Sequence, residues 1–377
     1  MNRKELQKQM DKSNLKQPKV AYVHDWLVTW RGGEKVLEAL IDLYPNAPIY
    51  TLFYDHKKIP KSIKHRDIRY PKGLNRLRKI RKALLPFLPS AIESLPLEEY
   101  DLVISTSSCV AKGAMIGPEA KHLCYIHSPM RYIWDQRKHY FQSLSLIPGI
   151  KGIIHLVSSL LRQWDTTSAQ RVDRFIVNSN FVGSRVKKYY GRNSTTIAPP
   201  VDWQAFTSSS CNPSETPFFL VAGAFVSYKR FDIAIQACEA LGVRLVVAGS
   251  GPDEIRLREY AKNNTTFEIA PSSERWKYLM INAKALLFPA LEDFGIVAIE
   301  SMAAGTPVIA YRGGGALDFI VPQKTGEFFN EQNAEALSEV LNNYNKDKYN
   351  REFLTSFAMS YDKEKFLDKI RQEINEL

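Results

Sequence analysis

Residues 285–315 read ALLFPALEDFGIVAIESMAAGTPVIAYRGGG, and the order of residue types there decides the fold. An apolar run ends at Pro289, a short loop carries Glu292, Asp293, Phe294 and Gly295, and a helix is expected from about Ile296 to Ala304. Gly305 stops that helix, because glycine takes the left-handed conformation that ends one, and Pro307 opens the next apolar run. Strand, loop, helix, strand is the repeating unit of a parallel sheet, whose ligand loops gather beyond the carboxyl ends of the strands. Glu292 falls on such a loop and Glu300 on the helix. The N–H groups of Phe294, Gly295 and Ile296 then lie at a helix N-terminus, where open donors and the helix dipole favour a phosphate.

The same alternation runs outward in both directions. Upstream, VAYVH at 20–24 reads as a buried strand, followed by the loop VTWRGGEK at 28–35 and the apolar-periodic helix EKVLEALIDLY at 34–44. DLVIST (101–106), KHLCYIH (121–127) and DRFIVNS (173–179) are further strands, the last leading into NFVGSRVKKYY at 180–190. The texture then changes to APPVDWQAFTSSSCNPSETP at 198–217, whose Pro, Ser and Thr content is that of a linker. A second series begins with FFLVAGAF (218–225), a helix near 230–241, VRLVVAGSG (243–251), a helix near 253–262, TTFEIA (265–270), KALLFPA (284–290) and TPVIAY (306–311). The expected architecture is α/β, with a polar leader at 1–19, a first Rossmann-like domain at 20–199 and a second at 200–355. A C-terminal helical segment occupies 356–377.

Composition narrows the class. Apolar residues make up 45% and charged residues 24% of 377, which excludes a disordered, collagenous or disulfide-framed chain. No uninterrupted apolar stretch is long enough to span a bilayer, and the leader lacks the apolar centre of a secretory signal, so a cytosolic protein is expected. The four cysteines, at 109, 124, 211 and 238, have no metal-binding spacing and read as buried thiols. The formal charge is +11, and residues 57–82 alone hold twelve Lys and Arg against Asp67. Such a segment attracts phosphorylated ligands, anionic lipid or nucleic acid.

The opening stretch resembles the E-x7-E signature of retaining glycosyltransferases of family GT4, set in F-G-x-x-x-x-E-x-M-A-x-G-x-P-V, with Glu292 and Glu300 at its two positions. RGGEKVLE (31–38), YIHSPMRYIWD (125–135), NSNFVGSRV (178–186), PPVD (199–202) and YKRFD (228–232) extend the resemblance over residues 20–375. It implies a GT-B fold, two doubly wound Rossmann-like domains facing each other across a cleft, with the C-terminal helix crossing back to the first domain. It also implies roles: Glu292 on hydroxyls of the transferred sugar, Glu300 on the nucleotide ribose, and Arg31, Gly32 and Gly33 against the donor diphosphate. His127 is placed near the sugar O6 and the phosphate, and Lys229 and Arg230 supply cations to the leaving diphosphate. Two positions depart from the family pattern. Ala224 stands where many relatives carry an arginine, which Arg230 or Arg31 could replace, and Asp318 stands where many carry Glu.

No D-x-D triplet is present, so fixed cations and helix-terminal amides, without a metal or other cofactor, are expected to manage the leaving charge. The expected catalytic set is Glu292, His127 and Lys229. The segment at 57–88 joins its cations to Leu74, Leu77, Ile80, Leu84, Leu85, Phe87 and Leu88, read as an amphipathic helix from Leu74 to Leu85 that lies on the anionic inner face of the plasma membrane. No nucleic-acid module accompanies the charge. The expected activity is transfer of mannose from GDP-mannose to a lipid-linked saccharide in cell-surface polysaccharide assembly. The alternatives are another donor such as UDP-glucose, or a non-catalytic nucleotide-sugar-binding or basic interaction protein on the same fold.

Overall fold

The computed structural model describes residues 18–135, 150–206 and 217–377. The leader up to residue 17 and half of the expected linker (207–216), with Cys211, lie outside the described residues. Contacts divide the chain into two compact units, one of residues 1–176 with 189–192 and 377, the other of residues 177–188 with 193–376. The helix Asn180–Tyr190 therefore belongs mostly to the second unit.

A seven-stranded sheet holds β1 (Val20–Leu27), β2 (Ile49–Tyr54), β3 (Ile68–Arg69), β4 (Leu102–Ser107), β5 (Lys121–Ile126), β6 (Arg174–Val177) and β7 (Thr195–Thr196) in the order β3-β2-β1-β4-β5-β6-β7. A six-stranded sheet holds β8 (Phe219–Ala224), β9 (Leu245–Ser250), β10 (Thr265–Ile269), β11 (Leu286–Phe288), β12 (Val308–Tyr311) and β13 (Gly326–Phe329) in the order β10-β9-β8-β11-β12-β13. Both orders reverse at the first strand of the set, which is the doubly wound pattern of two Rossmann-like domains. The pairs within the second sheet run parallel, and β1 runs parallel to both β2 and β4.

Alternation along the strands builds a core on each face of the second sheet. Leu220, Ala222, Val246, Ala248, Leu286 and Val308 join one apolar cluster, while Phe219, Val221, Leu245, Val247, Leu287 and Ile309 join another. Helices cover both faces, so the strands read as continuous apolar runs. The strand ends are thereby fixed, and the loops that leave them are free to carry polar side chains. Cys109, Cys124 and Cys238 are buried free thiols, as expected.

The basic segment corrects the sequence reading. Instead of one helix from Leu74 to Leu85, it forms a short helix Lys72–Asn75, 3-10 turns at Arg78–Ile80 and Leu85–Phe87, and a helix Leu88–Glu93. In a continuous helix Arg78 would face Arg81 and Lys82 at i, i+3 and i, i+4 spacing, so like-charge repulsion opposes the helix that the apolar spacing implies, while Pro86 and Pro89 open the two elements that follow. Leu85 and Leu88 turn into the core, whereas Leu77, Ile80 and Phe87 are exposed, Phe87 by 68%.

Candidate active site

The expected site residues fall into two groups, one on each unit. On the first, the chain leaves β1 through a loop that Glu34 closes. Its carboxylate accepts from the Arg31 N–H at 3.0 Å and from the Thr29 hydroxyl at 2.8 Å, satisfying an open amide at the start of the helix Gly32–Leu40. Gly32 and Gly33 thus present backbone at a helix N-terminus, and Arg31 projects into solvent. His127, just past β5, faces this loop: a Cβ on Gly33 would lie 3.4 Å from its Nε2. Burial, with help from His24 and Arg131, pushes the His127 imidazole down to about 3, so it is neutral at physiological pH.

Below them, Asp25 at the end of β1 is 1% exposed. Its carboxylate accepts from the N–H groups of Ser108, Cys109, Val110 and Ala111 at 2.6–2.9 Å and from the Ser108 hydroxyl at 3.1 Å. His24 Nδ1 lies 2.6 Å from the Thr106 hydroxyl. This ties the ends of β1 and β4 together beneath the Gly32–Gly33 loop. Asp25 is not among the residues singled out from sequence; the one signal was a charge at the end of an apolar strand. The aromatic residues after His127 build the scaffold. Trp134 stacks on Tyr189 at 4.4 Å and donates to Asp165 at 2.8 Å, and Tyr132 packs on the apolar core.

On the second unit, the Lys229 ammonium lies 2.8 Å from Glu292 Oε1, with side chains only 13% and 17% exposed. The two residues come from different strand ends, Lys229 from the turn after β8 and Glu292 from the loop after β11. Gly223, the penultimate residue of β8, makes room for the cation: at φ +139°, a Cβ there would stand 2.9 Å from Lys229 Nζ. Lys229 and Arg230, adjacent in sequence, go to different carboxylates. Arg230 takes a left-handed conformation at the start of the helix Phe231–Leu241 and turns its guanidinium to Asp232 at 3.2 Å.

Gly295 caps the helix Ile296–Ala303 at φ +100°, so Phe294, Gly295 and Ile296 lie at its N-terminus two residues beyond Glu292. Phe294 is buried, packed edge-on to Phe319. Glu300 shares the partly exposed face of the helix with Ile296 and Val297, while Ala298, Ile299, Ser301 and Met302 are buried. Asp318 accepts from the backbone and side-chain N–H groups of Asn180 at 2.7 and 3.2 Å. Among the described residues, no three His, Cys, Asp or Glu side chains stand together as metal ligands would. The second-unit group therefore combines a cation, a partly buried carboxylate and a helix N-terminus, an arrangement able to bind a diphosphate and grip a neighbouring hydroxyl.

Part of the chain matches a known family, and the fold is shared with solved structures. Residues 205–359 match the family described as "Glycosyl transferases group 1". The chain is 27% identical over 300 residues to the alpha-1,3/1,6-mannosyltransferase ALG2 of Dictyostelium discoideum, covering 65% of this chain and 68% of that protein. It is 31% identical over 134 residues to the O-antigen chain mannosyltransferase C of Escherichia coli, covering 33% of this chain and 36% of that one. Among solved structures, the sucrose-phosphate synthase of Thermosynechococcus elongatus superposes with a TM-score of 0.73 at 17% identity, over 95% of this chain and 98% of that one. Anabaena HepE in complex with UDP gives 0.70 at 14% identity, over 95% and 100%. At such identities the structures establish the fold alone.

Proposed function

We propose that this chain, whose residues 205–359 match the group 1 glycosyltransferases and whose fold is GT-B, is a retaining mannosyltransferase that uses GDP-mannose and a lipid-linked saccharide acceptor. The observation that carries this reading is the Lys229–Glu292 pair at the mouth of β8, beside the N-terminus of the helix Ile296–Ala303. The bond between the sugar C1 and the diphosphate oxygen breaks, and a bond from C1 to the acceptor oxygen forms on the same face. The acceptor proton passes to the departing phosphate oxygen, so no protein base is required. Lys229 and the amides at Phe294–Ile296 stabilise the charge that grows on the diphosphate.

Glu292 holds hydroxyls of the sugar and Glu300 the ribose. His127, neutral because it is buried, offers an uncharged hydrogen bond to the sugar or phosphate. Arg31, Gly32 and Gly33 lie against the diphosphate, and Arg230 adds to the cationic field. The reaction needs no metal ion. Mannose is favoured because the curated relatives named above are mannosyltransferases.

No described helix is long and apolar enough to cross a membrane. The acceptor is reached from the cytoplasmic membrane surface, where exposed Leu77, Ile80 and Phe87 insert among cations of residues 57–88. Thermal stabilisation by a nucleotide panel tests the donor. GDP and GDP-mannose should stabilise more than UDP and UDP-glucose at equal concentration, a ligand at 100 times its Kd adding about 2.7 kcal/mol over the ligand-free protein. Stabilisation by the uridine pair alone reassigns the donor, and stabilisation by none overturns the reading.

A further inference from the structure

We infer that Ser179 and Arg185 are positioning residues that hold the Glu292 loop in its working geometry, an inference that rests on the proposed function. Glu292 is flanked by a residue with no sugar-binding chemistry of its own in this structure: Asp293 is 7% exposed and pointed away from solvent. Arg185, on the helix Asn180–Tyr190 and 8% exposed, donates from Nη1 to Asp293 Oδ1 at 2.8 Å. The guanidinium lies over the Phe181 ring at 5.6 Å, so the cation is itself held in place. Ser179, wholly buried, donates its hydroxyl to the Asp293 carbonyl while the same oxygen accepts from the Val182 N–H at 3.1 Å. One hydroxyl thus caps the helix and fastens the loop.

The other side of the loop is held as well. The Gly315 N–H donates to the Glu292 carbonyl at 2.9 Å, and a Cβ on Gly315 would come within 2.5 Å of the Phe294 Cα, so only glycine permits this approach. Asp318, three residues on, reaches back to the first amide of the Asn180–Tyr190 helix. The backbone of Glu292 and Asp293 is therefore gripped at both carbonyls, and the Asp293 side chain is locked by an ion pair. A buried ion pair is a weak source of stability compared with apolar packing, but it fixes direction. Here the direction fixed is that of the residue preceding Asp293, whose carboxylate must meet Lys229 and the sugar.

The experiment measures GDP binding stoichiometry and Kd by calorimetry, together with GDP release from GDP-mannose, for the full chain and for S179A, R185Q and R185Q/D293N. UDP and UDP-glucose are run in parallel. S179A and R185Q are expected to lower kcat per nucleotide-binding site at least tenfold, while Kd for the diphosphate stays within about threefold. R185Q/D293N, in which two neutral amides can re-form a hydrogen bond, is expected to recover part of kcat; it also covers the case in which R185Q folds poorly. Fewer binding sites with unchanged kcat per site in S179A and R185Q would mean a purely structural role and overturn the inference. A parent that binds or cleaves neither donor overturns the proposed function, and this inference falls with it.

Discussion

Lys229→Met separates the structural from the chemical role of the pair at the mouth of β8. At 2.8 Å and an effective dielectric of ~20, the gross attraction between Lys229 and Glu292 is about 6 kcal/mol, most of it offset by desolvation of two largely buried charges. Removing one partner of an exposed pair costs up to about 1 kcal/mol, and of a fully buried pair about 3–5 kcal/mol, so about 2 kcal/mol fits side chains 13% and 17% exposed. In a unit of this size that lowers Tm by about 4–8 °C. Glu292→Gln in the same background removes the stranded carboxylate and should restore most of the Tm. Activity should behave differently. Loss of a fixed cation at the leaving group should cut kcat/KM at least about 100-fold, or 2.7 kcal/mol, and the second substitution cannot restore it. Thermal unfolding and nucleotide release measured on the parent and these two variants read out both effects. A Lys229→Met variant within about threefold of the parent kcat/KM, or a double variant that regains activity along with stability, would refute the argument.

Burial pushes His122 down to about 4 and His127 down to about 3, so both are neutral in the folded chain while the unfolded chain takes up protons below about 6.5. Stability should therefore fall as pH drops from ~6.5 toward ~3, with about 2 kcal/mol lost from the two together between pH 6 and pH 5. Urea unfolding of His127→Gln should show about half that loss, and an unchanged slope would contradict the assignment. Vesicle binding should require anionic lipid, weaken with salt, and lose about 1 kcal/mol for each of Arg76, Arg78, Lys79, Arg81 and Lys82 changed to Ser. Equal binding by the five-fold variant would give the segment another purpose. Transfer should persist in a strong chelator; inhibition reversed by Mg²⁺ or Mn²⁺ would contradict cation-and-amide catalysis.

Sequence carries the parts of this fold whose signal is local. The strands from Phe219 to Ala224, Leu245 to Ser250 and Val308 to Tyr311 lie within the expected apolar runs, because buried parallel strands must be apolar on both faces. The helix Ile296–Ala303 ends one residue short of its expected stop. IYTLFY at 49–54 and GEFF at 326–329 are strands that the sequence reading does not name; the first carries a clear signal, β-prone residues between Pro48 and Asp55, and the second is only four residues long. The Leu74–Leu85 helix fails because apolar spacing does not weigh the repulsion among the five cations from Arg76 to Lys82. In the candidate site, Glu292 and Lys229 are legible as residue types in a motif, but their pairing depends on two loops 63 positions apart closing on each other. Arg185–Asp293, 108 positions apart, and Asp25 with the amides of Ser108–Ala111 have no local signature, since each side chain alone resembles any surface charge.

The most direct test of the central claim is turnover. The full chain is incubated with GDP-mannose and a lipid-linked saccharide in anionic vesicles, and the product and its anomeric configuration are read by mass spectrometry and NMR. The account predicts GDP release matched by mannose added to the acceptor in the α configuration of the donor, at a rate lowered at least about tenfold by Glu292→Ala or Glu300→Ala. A product of inverted configuration, or transfer at the parent rate in both variants, would contradict it.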